Sequence, residues 1–309
     1  MKQSSVIVGR KLVLSRFRVL EYLELMKPEL TGLSVLTTLC GFYLALNGSF
    51  DFWLFGLTAI GTTLVGGGAG ALNQYIERQH DASMRRTERR PLPSGRLMPG
   101  EVLVFGVTIS IAGIFVLTAA ANPLTGFLAT LTIATYLFLY TPLKKVTPLN
   151  TLVGGVPGAL PPVMGWVAVR NEITVEALIL FAILFFWQIP HFLSLAWMYR
   201  KDYARAGYKM LTVVDEDGSR TSVQVLACSA ALLPTSVALT FVGMTGFLYF
   251  VGALLLGAGF LAYAVLFAKF SGRPGGQALA KRNFYSRQTF FASLLYLPAL
   301  LFLMTIDKV

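Results

Sequence analysis

Asn73, Glu77 and Asp81 recur at every fourth residue. On a continuous helix they form one stripe, each successive oxygen ligand roughly 5 to 6 Å further along the axis at about 1.5 Å rise per residue. Such a ladder suits Mg²⁺, a hard cation that takes one or two carboxylates and completes its shell with water and substrate phosphate oxygens. The same stretch, Asn73 to Arg96, carries Arg78, Arg85, Arg86, Arg89 and Arg90, whose guanidinium forks bind phosphate oxygens in pairs. Acids and arginines together describe a clamp for a magnesium diphosphate. A second reading stays open on spacing alone. It is a solvated helix end with ordinary ion pairs, Glu77 with Arg78 and Asp81 with Arg85, and arginines that report topology and anionic lipid.

A second segment, Pro190 to Leu211, repeats the pattern in which an apolar run ends and a polar patch begins. His191 and Asp202 fall nearly on one face if the helix runs unbroken, with Tyr203, Arg205 and Lys209 around the acid. An ionisable residue inside a span is a functional candidate by default, which singles out His191. His80, in an arginine-rich loop, reads as solvated.

These residues need elements to hold them, and the composition says which. The 309 residues are 55% hydrophobic and 13% charged, with a mean hydropathy of +0.65, against roughly a quarter charged in globular domains. About 20 apolar residues cross the hydrocarbon core as a helix. Nine runs meet that need: 30–46, 52–72, 102–121, 123–140, 150–169, 177–198, 223–243, 247–270 and 288–306. The chain is therefore expected to be an all-α polytopic membrane protein with nine transmembrane helices. Of its 26 Lys and Arg, 24 fall in alternate connections, which by the positive-inside rule puts the N-terminus in the cytoplasm and the C-terminus outside, in the plasma (inner) membrane. The net charge of +11 does not imply nucleic acid, because the basic residues sit in connections between apolar spans. Cys40 and Cys228 lie inside apolar runs, so no disulfide framework or zinc site is expected.

Residues 1–28 form an expected cytoplasmic arm with no cleavable leader, helical and amphipathic from Val13 to Met26. Residues 29–309 form the transmembrane domain, with long cytoplasmic loops at 74–101 and 199–222. The clusters Gly66, Gly67, Gly68, Gly70 and Gly154, Gly155, Gly158 with Pro157, Pro161 and Pro162 read as close helix packing and kinks. The Gly run also lets a ligand approach the backbone next to Asn73.

Taken together, NxxxExxxD (Asn73, Glu77, Asp81), RTxxRPLPSG (Arg86 to Gly95), PHFxxLxW (Pro190 to Trp197) and DYxxAGxxM (Asp202 to Met210) resemble the UbiA family of intramembrane prenyltransferases, and within it the branch that farnesylates haem. The resemblance covers nearly the whole chain. It implies a UbiA-like helical bundle that transfers a farnesyl group from farnesyl diphosphate to the vinyl group of haem B, giving haem O, with Mg²⁺ assisting departure of diphosphate. It assigns Asn73, Glu77 and Asp81 to a first catalytic and metal-binding motif and Asp202 to a second, and adds Lys144 as a phosphate contact. His191 would position haem, as an iron ligand or as a propionate partner. Partners implied are membrane lipid and, among proteins, haem A synthase or terminal oxidase assembly factors. The chain has Ala206 where quinone-type members repeat an acid four residues after Asp202. A quinone-precursor prenyltransferase, a transporter of an anionic lipid-soluble molecule and a non-catalytic assembly factor are the competing readings. Among the apolar helices, Phe185, Phe186, Trp187 and Trp197 are candidates to stabilise an allyl cation.

Overall fold

The computed structural model describes residues 18–309. The expected surface helix is seen as a helix over 18–25, and its start at Val13 lies outside the described residues. Nine long helices follow: α1 (Pro28–Ala45), α2 (Phe52–Asp81), α3 (Pro99–Ala120), α4 (Pro123–Ala134), α5 (Asn150–Arg170), α6 (Val175–Met198), α7 (Ser219–Phe241), α8 (Phe247–Phe270) and α9 (Gly276–Ile306). Each contains or overlaps one expected apolar run. Among the described residues eight of these, with α4 counted through its continuation to Leu143, are long and apolar enough to cross a membrane. The remaining one, α1, is diluted by Glu29 and by Thr31, Thr37 and Thr38, which are buried. Hydropathy counts such residues against a span, yet a helix that turns its polar side chains inward still presents apolar ones to lipid.

Packing runs in sequence from α1 to α6, then through α7 and α8 to α9, which returns against α6 and α1. Large side chains such as Phe115, Phe138, Phe241, Leu255, Leu295 and Phe302 stand exposed on the outside, as lipid-facing residues do. Where two helices must nearly touch, small residues allow it. A Cβ on Gly165 of α5 would lie 1.7 Å from the Thr38 carbonyl of α1, and one on Gly41 would lie 2.1 Å from the Pro162 carbonyl. The α1–α5 crossing thus admits no side chain at either position. Pro157, Pro161 and Pro162 do not break α5, which continues for 21 residues.

Two local departures shape the interior. The fourth span changes to a π-helical turn at Thr135–Tyr140 before Thr141–Leu143; such turns are rare and concentrate at functional sites. The sixth span stops at Met198, where Tyr199 leaves the helical region with φ −104° and ψ 17°. The chain restarts as a short helix, Arg200–Arg205, which Gly207 ends at φ +74°. The single unbroken helix that would align His191 with Asp202 is therefore absent. Its physical reason is packing: Ala206, Tyr208 and Met210 fold back onto Met84 and Ala196 in one apolar cluster.

Candidate active site

Helix α2 runs past the expected membrane boundary to Asp81, so the ladder is one continuous helical stripe and the first loop proper begins at Ala82. Asn73, Glu77 and Asp81 are all buried, at 1%, 4% and 1% exposure. A buried carboxylate needs a cation and hydrogen bonds, and neither acid finds its cation locally. Glu77 Oε1 accepts from Lys144 Nζ at 2.8 Å, and its Oε2 accepts from Asn73 Nδ2 at 3.0 Å. Asp81 Oδ2 accepts from Arg90 Nη1 at 2.8 Å. Asn73 is held twice more, by Lys27 Nζ donating to its Oδ1 at 2.6 Å and by its own amide donating to Thr141 Oγ1 at 3.2 Å. The nearby alternatives, Glu77 with Arg78 and Asp81 with Arg85, are not formed: Arg78 lies over the Tyr75 ring at 4.6 Å and donates to the Tyr75 carbonyl, and Arg85 is exposed.

The cations come from three directions. Lys27 sits at the head of α1 in a left-handed conformation, φ +49°, strained for a side chain with a Cβ. Burial, aided by Arg90, pushes its ammonium down to about 7. Burial also opposes the charge of Lys144, but Glu77 outweighs it and holds that ammonium well above its usual value. Arg90 arrives on the loop after α2. That loop is anchored by Leu92 and Leu97 packing on Leu25, Ala71 and Val102, and by Arg96 paired with Glu21 and Glu24. Arg86 on the same loop donates to Tyr203 Oη at 3.3 Å and lies over the Tyr199 and Tyr203 rings.

All of this forms the head of one cavity of ≈ 370 Å³. Four cations line it (Lys27, Arg86, Arg90, Lys144) against two anions (Glu77, Asp81), so it carries a net positive charge suited to a polyanion. Tyr208 adds a buried hydroxyl with no hydrogen-bond partner among the described residues, its ring 5.9 Å from Lys144 Nζ. Away from the head the walls turn apolar, with Leu33, Val65, Ala69, Met164, Leu184 and Trp187. Gly66 and Gly70 of α2 face this space, while Gly67 and Gly68 pack against Met26 and Ser110. His191 lines the same cavity from α6. Its ring stacks on Trp187 with centroids 5.1 Å apart and lies 4.9 Å from Phe290, and its Nδ1 is 2.7 Å from Ser293 Oγ.

Residues 34–304 match the UbiA prenyltransferase family. The chain belongs to that family. It is an integral membrane prenyltransferase-family protein, 45% identical over 298 residues to the protoheme IX farnesyltransferase of Solibacter usitatus (strain Ellin6076), an alignment that covers 93% of this chain and 98% of the relative. The UbiA fold is also seen in solved structures. One, described as digeranylgeranylglyceryl phosphate synthase, superposes with a TM-score of 0.73 at 16% identity, over 93% of this chain and 99% of the other. A UbiA homologue from Archaeoglobus fulgidus bound to GPP and Mg²⁺ superposes with a TM-score of 0.62 at 14% identity, over 90% and 99%.

Of the residues the sequence singled out in this UbiA-family chain, the cavity gathers Asn73, Glu77, Asp81, Arg86, Arg90, Lys144, His191 and Tyr203. Asp202 and Arg205 pair with each other at 3.2 Å, outside the lining set. Arg85 and Arg89 are exposed, as is Lys209, whose backbone N–H donates to the Lys144 carbonyl at 2.7 Å. Among the candidate aromatics only Trp187 lines the cavity, while Trp197 lies beneath Arg200 and Arg282. Lys27, Tyr136, Tyr140, Thr141, Gln188 and Tyr208 were not singled out as site residues. A lysine directly before Pro28, and tyrosines at i, i+4 in an otherwise apolar span, were the available signals.

Proposed function

We propose that this protein transfers the farnesyl group of farnesyl diphosphate to the vinyl group of haem B, forming haem O and releasing diphosphate. The observation that carries the reading is the continuous cavity, with a buried cluster of acids and cations at its head, an apolar body and an imidazole along its wall. It offers one environment each for a diphosphate, a prenyl chain and a haem. The name of the Solibacter relative, at 45% identity over nearly the whole of both chains, supports that choice of substrates over a quinone precursor.

The donor set fits Mg²⁺. Glu77 and Asp81 supply carboxylate oxygens and Asn73 an amide oxygen, all hard ligands on one wall, and the unpartnered Tyr208 hydroxyl beside them is free to meet a phosphate oxygen. Bound there, Mg²⁺ would neutralise charge developing on the departing diphosphate, while Asp202, paired with Arg205, stands at the rim outside the cavity lining. Lys27, Lys144, Arg86 and Arg90 bind the remaining phosphate oxygens, with Arg78, Arg85, Arg89, Arg205 and Lys209 forming the outer basic field that draws the anion in. Tyr136, Tyr140 and Trp187 line the cavity and are the aromatic side chains that would stabilise positive charge growing on the allylic carbons. The apolar walls keep water from that cation. The positive-inside count supports a cytoplasmic position for this head, from which the diphosphate would enter while the haem comes from the lipid phase. Haem A synthase or an oxidase assembly factor is the class of protein that would receive the product.

Purified protein with farnesyl diphosphate, Mg²⁺ and either haem B or 4-hydroxybenzoate tests the proposal. Farnesylated haem is expected from the first acceptor and nothing from the second; prenylated benzoate alone would transfer the chain to the quinone-type branch.

A further inference from the structure

The imidazole of His191 is held in a way that fixes its tautomer. Ser293 of α9 is fully buried, and its hydroxyl donates to the Phe290 carbonyl at 2.5 Å. A hydroxyl has one proton, and a carbonyl oxygen can only accept. Once that proton is committed, the 2.7 Å contact between Ser293 Oγ and His191 Nδ1 requires the ring nitrogen to donate. Nδ1 therefore carries the proton of the neutral ring, and Nε2 carries a lone pair.

The surroundings hold the ring in this state. Trp187 stacks on it at an interplanar angle of 24°, and the Trp187 indole N–H donates to the Ser293 carbonyl at 2.9 Å, so the residue that covers the imidazole also pins its hydrogen-bond partner. Phe290 and Phe192 close other sides, at 4.9 and 5.2 Å. Among the described residues Nε2 has no hydrogen-bond partner, and the residue lines the cavity. A propionate carboxylate would need an N–H donor there. Iron takes a lone pair.

We propose that His191 is the axial ligand of the haem iron through Nε2, and that Ser293 is the positioning residue that presents it in that tautomer; this deepens the reading of haem B as acceptor and rests on it. The ligand is an iron porphyrin, and the hydrogen bond from Nδ1 raises the basicity of the coordinating nitrogen as outer partners of metal-bound histidines do. Coordination sets the porphyrin plane across the imidazole and so limits which ring edge faces the diphosphate head.

The test compares ferric haem B with metal-free protoporphyrin IX, which has the same propionates and no iron, titrated into the purified full chain. Wild-type protein is expected to give the absorption and paramagnetic resonance signature of imidazole-ligated iron and to prefer haem over the metal-free ring by about tenfold or more. His191→Ala should abolish both the signature and the preference and leave the metal-free ring bound as before, and imidazole added to His191→Gly should restore the signature. Ser293→Ala should weaken haem binding by about tenfold without affecting the metal-free ring, while Ser293→Thr, which keeps the hydroxyl, should retain most of it. Equal loss of both porphyrins in His191→Ala, or an unchanged iron signature, would overturn the ligation and leave haem as the acceptor. Failure of the wild type to bind either porphyrin would remove the acceptor reading, and the ligation with it.

Discussion

Two acidic segments stand at the same end of the bundle, and they are built differently. Glu77 and Asp81 lie on the last turns of a 30-residue helix, buried, and their cations come from Lys144 and Arg90, 67 and 9 residues away. Asp202 lies on a six-residue helix, partly exposed, and pairs with Arg205 three residues on. A surface pair at i, i+3 needs no tertiary structure and contributes about 0 to 1 kcal/mol. A buried pair contributed by two distant segments depends on the whole fold, and removing one partner strands a charge. The first arrangement is a preformed head for a polyanion. The second is a polar rim on the strap that carries Tyr203, Tyr208 and Met210 over the cavity.

The largest effect should come from Glu77→Gln, which keeps the size of the side chain and removes its charge. Turnover is expected to fall on the order of 100-fold to 1,000-fold, measured as farnesylated haem formed per enzyme; near-normal turnover would reduce the ladder to a structural ion pair. Lys144→Met leaves Glu77 buried without its cation, a cost of about 3–5 kcal/mol that should appear as a lower unfolding midpoint in detergent. Adding Glu77→Gln to it should recover most of that loss, and failure to recover would mean that the two side chains are not coupled. Lys27→Met should raise the KM for farnesyl diphosphate about tenfold, the scale of one charge-assisted hydrogen bond, with kcat less affected. Asp202→Asn should have the smallest effect, a factor of about five or less. A loss matching that of Glu77→Gln would erase the contrast between the segments and place Asp202 inside the clamp during turnover.

Legibility followed the range of the interaction. The spans could be read because hydrocarbon thickness sets a length that composition records, and the ladder because four-residue spacing is a helix period. The role of Lys27 was hidden, since a lysine before the first span is also what topology requires. The break at Tyr199 was hidden too: nothing local forbids the helix from continuing through Arg200, and it ends because Tyr208 and Met210 find Met84.

The sequence by itself determined an all-helical membrane chain, the stripe Asn73, Glu77, Asp81, and the basic side of the bundle, because each follows from periodicity, length or composition. Only the tertiary structure decided which cations meet those acids, that Asp202 lies outside the cavity they line, and that Ser293 orients His191. Those pairings join residues up to 102 positions apart, and their geometry is set by helices packing against one another, which no local pattern encodes.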